Sequence, residues 1–171
     1  NTDFSVQLDK AKESGAELVF LPIYYQEASV ILKQAADKDF APIFFGCDGM
    51  DGILSVENFD ASLAEGLMLL TPFSVDEAGS KDFVEAYQAA YNAEPLQFAA
   101  GAYDAMYAIK AAAEKAGITA DMSASDICDA MKAAMLEITL DGLTGEGMTW
   151  NEAGEPEKAP KAVKIENGVY V

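Results

Sequence analysis

The chain has 171 residues, 51% of them hydrophobic, and a formal net charge of −18 from 29 acidic and 11 basic residues. This length and apolar content suffice for one α/β domain or two small lobes. The excess of negative charge would repel phosphate backbones, which argues against nucleic acid as a partner. Histidine and arginine are both absent from the sequence, so the chain lacks the commonest general base and the usual bidentate clamp for carboxylates.

The first 71 residues alternate between helical and strand-like patterns. Apolar residues recur at helical spacing over residues 4–14 and 26–38. Three short apolar runs between and after these helices predict strands at residues 17–23, 42–46 and 67–71. Helices that alternate with strands at this spacing predict an α/β fold with a doubly wound parallel sheet that is covered on both faces.

The second half of the chain has a different pattern. Residues 80–92, 95–116 and 125–136 predict three helices without intervening strands, and we expect these helices to pack on a sheet that this chain does not supply. The pattern of residues 148–150 is typical of a β-strand. Residues 162–165 and 169–171 flank Asn167-Gly168, which predicts a hairpin with a type I′ turn.

The strand ends provide a candidate ligand site. In a doubly wound sheet, ligands bind beyond the carboxyl ends of the strands. The first predicted strand runs into Tyr24 and Tyr25, and the second runs into Asp48 and Gly49. An aromatic face and a carboxylate suit the ammonium end of an amino acid, and a glycine lets the backbone approach a ligand closely. These four residues are the predicted ligand-binding residues.

Structural roles are the alternatives for these residues. Tyr24 could be a packing residue with a solvated hydroxyl, and Asp48 could be a helix cap or turn residue. Residues 48–52 faintly suggest a calcium loop but lack the EF-hand spacing and its terminal glutamate.

Cys47 and Cys128 form no zinc-binding pattern and are expected in the core. The sequence also contains no catalytic or nucleotide-binding motif, which predicts a protein that is not an enzyme and uses no cofactor or metal.

Several segments together resemble the branched-chain amino acid binding proteins of ABC transporters, which are type I periplasmic binding proteins. The resemblance rests on their order and spacing, and the segments are residues 4–12, 17–28, 31–35, 44–49, 64–66, 102–105 and 163–168. It implies two α/β lobes that are joined by hinge strands, close over an amino acid and deliver it to a membrane permease. It also implies a location outside the cytoplasm, in the periplasm or as a cell-surface lipoprotein.

The resemblance also divides the chain between two lobes. It places residues 1–70 in the second lobe, residues 71–136 as helices of the first lobe, and residues 137–171 as strands that return to complete the second lobe. It implies that Tyr24 lies over the ligand and that Asp48 takes the α-ammonium. Family members often have glutamate where this chain has Asp48, which leaves the identity of the amino acid open. The early part of the first lobe and a signal region are expected to lie outside this sequence.

A sensor is the alternative function. The same fold serves as the ligand-sensing domain of receptors and of amide-responsive regulators, and a signalling or transmembrane segment in the gene would favour that function over transport. An enzyme of doubly wound fold is a further alternative, for which cofactor absorbance in the purified protein would be the evidence.

The unpaired helical stretch predicts self-association of this chain. An apolar helix face that is not covered by a sheet should pair with another copy or rearrange. We therefore expect the apparent mass in light scattering to rise with concentration. A constant monomeric mass across a concentration series would contradict this prediction.

Overall fold

The computed structural model describes residues 2–171, which fold as two compact units. The first unit contains the chain up to Thr71 together with Pro160–Val171, and the second contains Pro72–Ala159.

The first unit is built on a five-stranded sheet. Its strands, in spatial order, are β1 (Leu18–Leu21), β2 (Ile43–Gly46), β3 (Met68–Thr71), β7 (Lys161–Glu166) and β8 (Val169–Tyr170). Strands β1, β2 and β3 run parallel, whereas β7 is antiparallel to β3 and β8 is antiparallel to β7. Helix α1 (Ser5–Glu13) precedes β1, and helix α2 (Tyr25–Asp37) connects β1 to β2. The predicted α/β class and the parallel order of the first three strands are confirmed.

The hydrophobic core lies on one face of this sheet. Phe44 and Leu69 point to that face and pack in one buried cluster with Ile31 and Leu32 of α2. On the other face Leu18, Phe20 and Ile43 are 52%, 52% and 51% exposed. The prediction that both faces are covered is therefore wrong for residues 2–171. The reason is that α1 and α2 both contribute to the same core, so neither is available for the opposite face.

The predicted β7–β8 hairpin is present. Asn167 and Gly168 both have positive φ, 54° and 76°, which is the signature of a type I′ turn. The Asn167 N–H donates to a carboxylate oxygen of Glu65 at 2.9 Å, and Ile165 is fully buried. These contacts hold the hairpin against the loop that precedes β3.

The second unit contains the three predicted helices and a small sheet. The helices are α3 (Lys81–Tyr91), α4 (Gln97–Ala116) and α5 (Ala124–Met135). The sheet is antiparallel and consists of β4 (Leu140–Gly142), β5 (Gly145–Trp150) and β6 (Pro156–Glu157). Residues 140–157 form this sheet, and β7 and β8 join the sheet of the first unit. The assignment of these segments to lobes stays a prediction.

Many apolar side chains of α3 and α4 are exposed, and α3 contains no buried residue. Rings of the two helices contact one another, with the centroids of Phe83 and Tyr103 5.0 Å apart. The large apolar residues with exposed side chains on α3 and α4 are Tyr91, Phe98, Tyr103, Met106, Tyr107 and Ile109.

Of the two cysteines, Cys128 of α5 is exposed and Cys47 is half-buried. The expectation of a core position is therefore wrong for Cys128.

A buried carboxylate ties α4 to the small sheet. Asp104 is 6% exposed and accepts hydrogen bonds from the Leu143 N–H at 2.9 Å and from the Thr144 N–H at 2.8 Å. The Thr144 hydroxyl donates a third bond to it at 2.7 Å. Burying a charged group is costly unless it is paired or hydrogen-bonded, and these three donors meet that requirement. The turn between β4 and β5 is thereby fixed to the middle of the helix.

Gly142 allows this approach, and its replacement should destabilise the second unit. A Cβ at position 142 would lie 2.6 Å from the carboxylate carbon of Asp104. We therefore expect Gly142→Ala to lower the free energy of unfolding by about 1–3 kcal/mol, the usual cost of overpacking. Urea unfolding followed by circular dichroism measures the effect.

Gly101→Ala is the matched control. Gly101 lies within α4, and a Cβ there would meet no atom within 4 Å. Alanine is the better helix former, so this variant should gain about 0.5–1 kcal/mol. Equal stability of the two variants would show that the contact between Gly142 and Asp104 does not constrain the fold.

Candidate functional site

The ends of two parallel strands form the candidate site. Leu21, the last residue of β1, pairs with Gly46, the last residue of β2. The chain then leaves β1 toward Tyr24 and leaves β2 toward Asp48. Because the strands are parallel, both segments emerge at the same edge of the sheet.

Tyr24 and Gly49 lie close together at this edge. A Cβ built on Gly49 would lie 3.3 Å from the Cδ1 atom of Tyr24 and 3.0 Å from the carbonyl oxygen of Ile23. Gly49 is buried, whereas Tyr24 is 62% exposed and Asp48 is exposed. The structure thus brings together the two predicted segments and leaves an aromatic ring and a carboxylate accessible to solvent.

Tyr24 and Tyr25 occupy different environments. Tyr24 is the N-cap residue of α2, with extended backbone angles, and its carbonyl accepts the Ala28 N–H at 3.0 Å. Tyr25 is the first residue of the helix and packs against the hydrophobic core. The structure therefore presents Tyr24 at the surface, and the ligand contact of Tyr25 stays a prediction.

Asp48 begins a short 3₁₀ turn, Asp48–Met50, that follows β2. The turn contains local hydrogen bonds from the Met50 N–H to the Cys47 carbonyl and from the Asp51 N–H to the Asp48 carbonyl, both 3.0 Å long. Met50 is fully buried, and its thioether occupies the space that a Cβ on Gly46 would need. The burial of Met50 holds the turn to the end of β2.

Tyr170 of β8 also contacts this segment, and no sequence pattern indicates this contact. Its hydroxyl oxygen accepts a hydrogen bond from the Gly52 N–H at 3.2 Å. Burial, together with the negative charge of Asp51, raises the pKa of Tyr170 to about 12, so the hydroxyl stays protonated at neutral pH. The two residues are 118 positions apart in the chain, and no local pattern could have indicated the contact.

The candidate site offers carboxylate and aromatic chemistry. Nowhere in residues 2–171 do three side chains of histidine, cysteine, aspartate or glutamate come together as they would around a metal ion. Over the same residues, none of the helices combines the length and the apolar character needed to span a bilayer.

Comparison with known proteins identifies the family. A family model described as periplasmic binding protein matches residues 1–168. The chain belongs to the periplasmic binding protein family. The resemblance predicted from the sequence is thereby confirmed.

Related periplasmic binding proteins support this assignment. The Leu/Ile/Val-binding protein of Escherichia coli K12 is 25% identical over 154 residues, which cover 90% of this chain and 39% of the relative. A leucine-binding protein of Thermotoga maritima has 25% identity and a TM-score of 0.79, and the match covers 100% of this chain and 47% of that structure. The branched-chain amino acid transporter substrate-binding protein LivJ of Streptococcus pneumoniae, solved with isoleucine, has 28% identity and a TM-score of 0.79, with 99% and 47% coverage.

These comparisons confirm the α/β fold of type I periplasmic binding proteins for this chain. The relatives are named as binding proteins rather than enzymes. The chain spans less than half the length of each of these three proteins.

The contact between Gly49 and Tyr24 can be tested by enlarging the glycine. Because a backbone oxygen and an aromatic ring confine position 49, we expect Gly49→Ala to shift the Tyr24 ring and to lower the free energy of unfolding by about 1 kcal/mol. The NMR resonances of the Tyr24 ring and a urea titration measure the two effects.

Gly79→Ala serves as the control for this variant. A Cβ on Gly79 would meet no atom within 4 Å, so neither stability nor the Tyr24 resonances should change appreciably. Unchanged Tyr24 resonances in Gly49→Ala would contradict the close approach of Gly49 to the Tyr24 ring.

Proposed function

We propose that the whole protein is the extracytoplasmic solute-binding component of an ABC importer and captures an amino acid, with branched-chain amino acids favoured. The observation that carries this proposal is the juxtaposition of Tyr24 and Asp48 at the carboxyl ends of β1 and β2. The binding functions named for the related proteins of Escherichia coli and Streptococcus pneumoniae support the same class of ligand.

The two side chains would recognise different parts of the ligand. The Asp48 carboxylate accepts hydrogen bonds and would pair with the α-ammonium group of the amino acid. The face of the Tyr24 ring carries negative charge density and would attract the same ammonium, while the body of the ring covers apolar ligand atoms. Gly49 lets the backbone after β2 approach Tyr24 closely, and both Gly49 and Tyr25 are proposed as weaker ligand contacts.

The ligand's α-carboxylate would be held by groups outside this site. Glu27 lies in the first turn of α2 and the buried Asp51 follows the 3₁₀ turn that begins at Asp48, and the sequence contains no arginine. In the whole protein we propose two lobes that close on the ligand, with Tyr24 and Asp48 on one of them. Contacts made to both lobes would stabilise the closed form, so that ligand shifts an open–closed equilibrium.

The proposed lobes follow the sequence assignment, with residues 1–70 in the second lobe and residues 71–136 in the first. The closed form would be recognised by a membrane permease, and the protein would act outside the cytoplasm. In this function the protein needs neither a catalytic nucleophile nor a cofactor.

Asp48 provides the direct test. In the intact protein, isothermal titration calorimetry should detect binding of leucine, isoleucine or valine. Asp48→Asn should weaken that binding by about 2–5 kcal/mol, because it leaves the ligand ammonium without its charged partner. Tyr24→Ala should weaken it by less, about 0.5–2 kcal/mol, since a cation–π contact is weaker than a charge pair.

Glu13→Gln is the matched control, because it removes the same single charge. Glu13 ends α1 and precedes β1, which places it toward the opposite edge of the sheet from Asp48. Affinity should be unchanged in this variant. Unchanged affinity in Asp48→Asn would remove Asp48 from the site, and absence of binding to any amino acid would contradict the proposed function.

A further inference from the structure

The last strand of the chain reaches the segment that carries Asp48. Tyr170 lies on β8, the outermost strand of the five-stranded sheet, and its ring packs against the hydrophobic core of the first unit. Its hydroxyl oxygen accepts the Gly52 N–H at 3.2 Å. Gly52 is four positions after Asp48, between two 3₁₀ turns, and has a φ of 99°.

The segment around Asp48 depends on tertiary contacts for its conformation. Isolated 3₁₀ turns are short and have poor hydrogen-bond geometry, so they do not hold a fixed position on their own. Met50 and Ile53 are fully buried and fix the segment from the core side. The hydrogen bond from Gly52 to Tyr170 fixes the backbone at the left-handed residue between the two turns.

The hairpin that carries Tyr170 is itself anchored. Strand β7 pairs with β3 over four residues, from Met68–Lys164 to Thr71–Lys161. At the hairpin turn the Asn167 N–H is bound by Glu65, and the Gly66 N–H donates to the Ile165 carbonyl at 2.9 Å. Tyr170 is therefore an acceptor held in a defined place, and it restricts the backbone of Gly52.

We propose that Tyr170 is a positioning residue for the ligand site, which holds the Asp48 carboxylate in its binding orientation through the backbone of Gly52. This inference rests on the proposed function of Asp48. Tyr170 does not need to touch the ligand in this role. By restricting the backbone conformations of this segment before the ligand binds, Tyr170 lowers the conformational entropy that is lost on binding.

Tyr170→Phe in the intact protein tests the inference, because it keeps the packed ring and removes the hydrogen-bond acceptor. We expect the affinity for the branched-chain amino acid that binds best to fall about tenfold, which corresponds to about 1.4 kcal/mol. In an Asp48→Asn background the same change should cause no further loss, since a residue that acts through Asp48 has nothing left to position.

Tyr91→Phe is the matched control for this experiment. This variant removes the same single hydroxyl from a ring that is 68% exposed on α3, and it should leave affinity near the wild-type value. Thermal unfolding of each variant shows whether the hairpin remains folded. Amide exchange of Gly52 provides a measurement that does not depend on ligand, and its exchange should be slow in the wild type and faster in Tyr170→Phe.

Each alternative result has a distinct meaning. Wild-type affinity in Tyr170→Phe, or an equal loss in the Asp48→Asn background, would overturn the positioning role while leaving Asp48 as a ligand contact. An equal loss in Tyr91→Phe would show that the effect is not specific to Tyr170 and would also overturn it. Unchanged affinity in Asp48→Asn alone would instead remove the proposed ligand site, and the positioning role with it.

Discussion

The parallel pairing of β1 with β2 is the constraint on which the candidate site depends. Parallel neighbours bring their carboxyl ends to one edge, so the segments that follow Leu21 and Gly46 must share that edge. The helix that connects the two strands, α2, therefore begins at the same edge, and Tyr24 is its N-cap residue. A Cβ at position 49 would lie 3.0 Å from the Ile23 carbonyl oxygen and 3.3 Å from the Tyr24 ring, so glycine allows the two segments their close approach.

The core that supports this edge is one-sided. The buried face of the sheet meets α1, α2 and the turns after β2, while the other face carries half-exposed apolar side chains, with the Phe20 and Phe45 rings 6.0 Å apart. Burial of apolar surface contributes about 25 cal/mol per Å², so the packed face stabilises the sheet more than the half-exposed face does. The site is thus built at the edge of the better-packed layer.

Local patterns in the sequence predicted the features that depend on nearby residues. Two apolar runs predicted the strands that end just before Tyr24 and Asp48. The dipeptide Asn167-Gly168 predicted the hairpin turn. The contact of Tyr170 with Gly52 was not predictable, because it joins distant positions that no periodicity relates. Strands β4–β6 are short and rich in glycine and polar residues, so their sequences only weakly predict strands. Asp104 resembles a solvent-exposed acid of a helix surface until the fold supplies its three donors.

The packing of Met50 under β2 links two positions that are close in the sequence but belong to different elements. The Met50 thioether fills the volume in which any larger residue at position 46 would place its Cβ. A methyl group at position 46 therefore requires a shorter side chain at position 50, and a shorter side chain at position 50 alone leaves a void at the end of the strand. The two positions can change together more easily than singly, so this part of the candidate site is expected to evolve by paired substitutions.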